Sequence, residues 1–139
     1  MATLRDLKKI HKRVLVVDDD EPIRDVLCQY MQAIGLDAVC AASGEEGLKA
    51  FTKGHFDIVI SDIKMAQMDG LTLLNEIKQI DPDVLFIVIT GYPSIETVLE
   101  AMKQGAVDYL VKPFQFEEIK IKIERALVEK DMNSQLKSN

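Results

Sequence analysis

The chain has 139 residues, 47% of them apolar, and a formal net charge of −6. That length predicts one domain with a sizeable core. The acidic balance weighs against nucleic-acid binding by this domain, since phosphate backbones demand a basic footprint, and no apolar run approaches the length of a membrane span.

In chain order, the first feature is a basic cluster: Arg5, Lys8, Lys9, Lys12 and Arg13. It reads as a solvated arm over residues 1–12. Only the short apolar run Val14–Val17 follows before a string of acids, so a signal peptide is not expected. Cys28 and Cys40 lack CxxC spacing and lie in apolar-periodic stretches, which predicts reduced core residues of a cytoplasmic protein rather than a disulfide or a metal site. His11 and His55 have no ligand-like partner nearby, so zinc is not expected.

Five short apolar runs read as strands: Val14–Val17, Asp37–Ala41, Asp57–Ser61, Val84–Thr90 and Asp108–Val111. The first, third and fourth are continuous and β-branched, as strands buried on both faces require. The second is less apolar and reads as an edge. Helical signals fill the gaps. Pro22 suits a first helical position, with Val26, Leu27, Tyr30, Met31 and Ile34 as the inner face and Gly35 as the stop. Ser43 and Glu46 form a capping box for a helix running to Gly54. A third helix covers Leu71–Ile80, ahead of Pro82. Ser94 caps a fourth, with Glu96 in its first turn and Gly105 past its end. The fifth spans about Phe116–Lys130 with Ile119, Ile123 and Ala126 facing inward, and a polar tail or linker stub occupies 131–139.

Strict strand–helix alternation predicts an α/β domain over 13–130, with a parallel sheet, right-handed crossovers and helices on both faces. Ligands of such sheets bind beyond the carboxyl ends of the strands. Asp18, Asp19, Asp20 and Glu21 stand at the first strand's end, Ser61 and Asp62 at the third's, Thr90 at the fourth's, and Lys112 and Pro113 at the fifth's. One of Asp20 and Glu21 serves as the next helix's N-cap. Carboxylates crowded on one rim repel unless a cation sits among them, and oxygen ligands suit a hard ion, Mg²⁺ above all. A carboxylate nucleophile beside such an ion and a lysine is the apparatus of phosphoryl transfer through an aspartyl phosphate. Each residue alone is better explained as a cap, a loop acid or a solvated lysine; joint placement at four strand ends favours a site.

The stretches VLVVDDDEPIR, DIVISDIKMAQMDG, VIT and DYLVKPF closely resemble the receiver domains of bacterial two-component response regulators, the CheY-like superfamily. The resemblance runs from about Arg13 to Val128. It implies a flavodoxin-like, doubly wound (βα)5 three-layer sandwich with strand order 2-1-3-4-5. It also implies Asp62 as phosphoacceptor, Asp19 as direct Mg²⁺ ligand, Asp18 as a ligand acting largely through water, and the Lys64 backbone carbonyl as the third protein ligand. Lys112, aimed by a cis bond to Pro113, would pair with the acceptor and then with a phosphoryl oxygen. Thr90 and Tyr109 resemble the switch pair, Gly91 leaves room for the phosphoryl group, and Lys64 and Tyr92 hold positions that tune hydrolysis of the acyl phosphate. The implied partners are a sensor histidine kinase, docking near helix one and the loop after strand five, and a second copy through helix four, strand five and helix five. An output domain or effector is implied too, because ETVLEAMKQGAVDYLVKPF resembles receivers of NtrC-type transcriptional activators. Ala66 departs from the family's usual proline, which predicts a more mobile loop around Lys64.

Two rivals compete with this reading. A phosphatase of the haloacid dehalogenase type would use the Asp18–Asp20 stretch as its DxD motif, yet it leaves Asp62 and Tyr109 unexplained and needs a cap for which the chain has no room. A receiver-like interaction module that is never phosphorylated would lack the acid pair, acceptor or lysine, and all are present.

Overall fold

The computed structural model describes residues 12–138. Ten elements alternate: β1 (Arg13–Val17), α1 (Glu21–Ala33), β2 (Asp37–Ala41), α2 (Gly44–Lys53), β3 (Ile58–Asp62), α3 (Gly70–Ile80), β4 (Leu85–Thr90), α4 (Ile95–Lys103), β5 (Asp108–Val111) and α5 (Phe116–Ser138). All four strand pairings are parallel and the order is β2-β1-β3-β4-β5. The less apolar second strand is an edge, as its composition predicts.

Alternate residues of the inner strands point to opposite faces, and each face is covered. Val14, Val16, Ile58, Ile60, Ile87 and Ile89 pack against Leu27 and Met31 of α1 and Ile119, Ile123 and Leu127 of α5. Leu15, Val17, Val59, Phe86 and Val88 meet Phe51 of α2, Leu73, Leu74 and Ile77 of α3, and Ala101 of α4. The molecule is therefore a three-layer sandwich. Side chains such as Phe86, Leu73 and Ile60 are fully enclosed, each worth roughly 1.5–3 kcal/mol relative to exposure.

Helix starts follow the expected chemistry. Asp20 is the N-cap of α1, its carboxylate accepting from the Ile23 amide at 3.3 Å, with Pro22 in the first turn. Ser43 Oγ accepts from the Glu46 amide at 3.1 Å, but Glu46 reaches back one residue further than a standard box, accepting from the Ala42 amide at 2.7 Å. Ser94 caps α4 through the Thr97 amide.

Three expectations change. Val26 points outward from α1 while Cys28 points inward, so the inner face is rotated from the one anticipated. The fifth helix does not stop near Lys130 but continues to Ser138, since no Gly or Pro interrupts that stretch and Lys12 pairs with Asp131 at 3.2 Å. Cys28 and Cys40, anticipated as reduced, are joined as a disulfide with their Cα atoms 6.4 Å apart. The physical reason is the pleat of β2: Ala38 packs toward α1 and Val39 toward the opposite core, so Cys40 returns to the α1 side, within bridging range of Cys28. The cysteines thus give no argument about compartment. Of the basic cluster, Arg5, Lys8 and Lys9 lie outside the described residues, as does His11, whereas Lys12 is partly buried.

Candidate functional site

The parallel register aligns the carboxyl ends of the strands, with Val17 beside Ser61, Asp62 beside Ile89 and Thr90 beside Val111. The side chains of Asp18, Asp62, Thr90 and Lys112 are consequently delivered to one rim. Three of them are nearly inaccessible: Asp18 is 1% exposed, Asp62 7% and Thr90 1%.

Lys112 Nζ lies between two carboxylates, donating to Asp62 Oδ2 at 2.9 Å and to Asp18 Oδ2 at 3.0 Å. The peptide bond from Lys112 to Pro113 is cis. Burial on its own lowers the lysine's pKa, but the bonds to Asp62 and Asp18 outweigh it and hold the ammonium above its usual 10.5. Asp18 shows the opposite balance. Its desolvation raises the pKa above 3.8 despite the Asp20 amide and Lys112, which both favour the carboxylate.

Asp19 is exposed and completes the cluster: one carboxylate oxygen each of Asp18, Asp19 and Asp62 lie within 4.8 Å of one another. A set of three anionic oxygen donors fits a hard divalent cation. A cleft of about 450 Å³ opens beside it, lined by Asp19, Lys64, Ala66 and Thr97 among others. Thr90 Oγ1 accepts from the Tyr92 amide at 3.1 Å, next to Gly91, where an added Cβ would meet only Lys112 Cβ at 4.0 Å. Tyr109, on β5 beside β4, is 38% exposed, with Lys122 Nζ 5.7 Å from its ring centroid.

Several supporting contacts escape sequence reasoning. The Asp18 carbonyl accepts from the Arg24 guanidinium at 3.0 Å, and Asp18 Oδ1 accepts from the Asp20 amide at 2.9 Å. Lys64 donates its amide to Asp62 Oδ1 at 3.2 Å. Ala66 offers an amide to Asp19 Oδ2 at 3.4 Å, a donor that proline would remove. Gln67 takes φ +62°, the left-handed region, in the turn that leads to α3. Asp69 caps that helix, and a Cβ on Gly70 would run into the Asp62 carbonyl oxygen. The signals were an acid and a glycine before an apolar-periodic run, which read as a helix start and not as part of a site.

Comparison with known proteins gives the class. The family model for the response regulator receiver domain matches residues 14–124, and the chain belongs to that family. It is 40% identical over 114 residues to the transcriptional regulatory protein ZraR of Escherichia coli K12, covering 82% of this chain and 26% of that protein. The chain thus spans about a quarter of that curated relative's length. A solved receiver domain protein (CheY-like) from Methanospirillum hungatei superposes with a TM-score of 0.86 at 32% identity, covering 88% of this chain and 98% of that one. The beryllofluoride-activated NtrC4 receiver domain dimer matches with a TM-score of 0.80 at 36% identity, over 85% of this chain and 98% of that one. The chain is a receiver domain of two-component signal transduction, a signalling domain homologous to those of NtrC-type regulators.

Proposed function

We propose that Asp62 is the phosphoacceptor, taking its phosphoryl group from the phosphohistidine of a sensor histidine kinase. The observation that carries this reading is the Lys112 ammonium held between Asp62 and Asp18, inside a group of three carboxylates. A carboxylate oxygen of Asp62 attacks phosphorus and the phosphorus–nitrogen bond to imidazole breaks. Mg²⁺ is the cofactor proposed for the donor set, where it would neutralise phosphoryl oxygens. Asp19 would hold it directly, together with Asp62, with Asp18 acting largely through water and Lys64 by its backbone carbonyl. Lys112 then leaves the Asp62 carboxylate for a phosphoryl oxygen. The domain assists its own phosphorylation and hydrolysis, with Lys64 and Tyr92 tuning the latter, and is otherwise no enzyme.

Output follows from Thr90. A phosphoryl oxygen accepts from the Thr90 hydroxyl and draws it away from the Tyr92 amide, and the displaced threonine leaves space for Tyr109 to turn inward. The face of α4, β5 and α5 changes as a result. That face carries Ile95 at 81% and Leu99 at 62% exposure, which supports its use in homodimerisation. The kinase docks where Ile23 and Val26 of α1 meet Pro113, Phe114 and Phe116, an apolar groove of about 500 Å³. We place the receiver unit at 13–130, a basic arm at 1–12, and a linker in 131–139 toward an output domain or effector that regulates transcription. The site of action is the cytoplasm, without direct nucleic-acid contact by this domain. No helix among the described residues is long and apolar enough to cross a membrane.

The test is exposure to a small acyl phosphate donor and Mg²⁺, read by intact mass. Wild type should gain one phosphoryl group and Asp62→Asn none. If Asp18→Asn abolished uptake while Asp62→Asn retained it, the phosphatase chemistry of a DxD motif would replace this reading.

A further inference from the structure

The Cys28–Cys40 pair lies outside the phosphoacceptor site and joins two elements that flank it. Cys28 is in the middle of α1 and nearly buried, at the margin of the α1–α5 core, whereas Cys40 is exposed on the edge strand β2. Both cores are complete without the bond, each built from enclosed aliphatic and aromatic side chains. The domain therefore has no need of a permanent staple, unlike small disulfide-dependent folds. In the reducing cytoplasm proposed for this chain, a disulfide is characteristically transient.

We propose that Cys28 and Cys40 form a reversible dithiol–disulfide site, oxidised by a low-molecular-weight disulfide of the glutathione type, that clamps α1 to β2. The asymmetry in burial orders the chemistry. The exposed Cys40 thiolate attacks a sulfur of the oxidant, expelling one thiolate. The Cys28 thiolate then attacks the Cys40 sulfur of the mixed disulfide and expels the second. Two protein thiols become one disulfide, and the oxidant becomes two thiols with the protons that were lost.

The clamp lies close to the signalling machinery. The carbonyl of Ala41, next to Cys40, accepts from the Asp18 amide at 3.2 Å. The helix bearing Cys28 carries Ile23 and Val26 of the apolar groove on its outer side. Oxidation would thus stiffen one wall of the docking groove and the seat of the acid pair without occupying the acceptor. This extends the phosphorelay reading to a second input and stands whether or not Asp62 is phosphorylated.

The test uses the whole chain in buffers of graded oxidised and reduced glutathione, quenched with an alkylating agent and read by intact mass. The expected result is concerted loss of both thiols in one transition, reversed by dithiothreitol without denaturant, with amide exchange along α1 several-fold slower in the oxidised form. In Cys40→Ser, an exposed position outside the core, Cys28 should resist glutathionylation. The proposal is overturned if wild type accumulates a glutathione adduct with no intramolecular bond, or cross-links into covalent dimers. It is equally overturned if the bond yields to reductant only after unfolding, or if exchange in α1 is the same in both forms.

Discussion

Lys112 is the residue on which the rim's electrostatics turn, because it is the cation shared by Asp18 and Asp62. Its pKa is raised in the folded chain, so between 10.5 and that higher value the folded state keeps a proton that the unfolded state has released. The stabilisation is fully present below 10.5 and is lost as pH rises through the folded-state pKa. Urea titrations across that alkaline range should show stability falling for wild type, and a flatter profile for Lys112→Met; parallel profiles would remove Lys112 from the account. Gly70 makes a second residue-scale prediction. A Cβ there meets the Asp62 carbonyl oxygen and lies 2.8 Å from Ile63 Cα, both backbone atoms that cannot rotate away. Gly70→Ala should cost on the order of 2 kcal/mol in urea unfolding and slow phosphorylation, since the backbone that gives way bears the acceptor. Unchanged stability and rate would show that the loop absorbs the methyl group freely.

At the scale of elements, much was legible in the sequence, for reasons that differ by element. β1, β3 and β4 were visible because burial on both faces demands continuous β-branched runs. Ser43 and Ser94 declared their helices through side-chain oxygens that satisfy amides, whereas the first helix's cap was open between Asp20 and Glu21 until the structure gave Asp20. The length of α5 was not legible, since a polar stretch without Gly or Pro reads equally as a tail or as a continuing helix. The α1–β2 disulfide was hidden for a similar reason: it depends on which face each cysteine occupies after α1 packs on the sheet, and sequence spacing carries no trace of that. Nor did Asp69 show its connection to the site, although it accepts from the Thr72 amide at 2.9 Å and so fixes where α3 begins. Asp69→Ala should lower stability by about 1 kcal/mol by removing that cap, checked by urea unfolding. A loss within error would mean that another group caps the helix.

For the whole molecule, four strand ends supply the carboxylates, the hydroxyl and the ammonium of the site, and the parallel register makes them neighbours across as many as 94 residues of chain, as in the Lys112–Asp18 bond. Rim membership followed from alternation alone, while strand order and individual roles needed the family resemblance. The site's supporting shell was less legible. The Arg24 and Ala66 contacts depend on loop paths, and the absence of proline at Ala66 gives Asp19 an amide donor. The face of α4, β5 and α5 leads to a prediction at this scale. Sedimentation at micromolar concentration should show a monomer becoming a dimer when a phosphoryl mimic and Mg²⁺ are added; an unchanged mass would exclude that face as a phosphorylation-controlled interface.

All of these effects depend on one carboxylate receiving the phosphoryl group. The most direct measurement is intact mass and fragment mapping of the chain after exposure to a small acyl phosphate and Mg²⁺, with Asp62→Asn and Asp18→Asn in parallel. The expected result is one phosphoryl group, mapped to Asp62 in wild type and missing from Asp62→Asn. Phosphate uptake that survives Asp62→Asn, or that maps to Asp18, would contradict it.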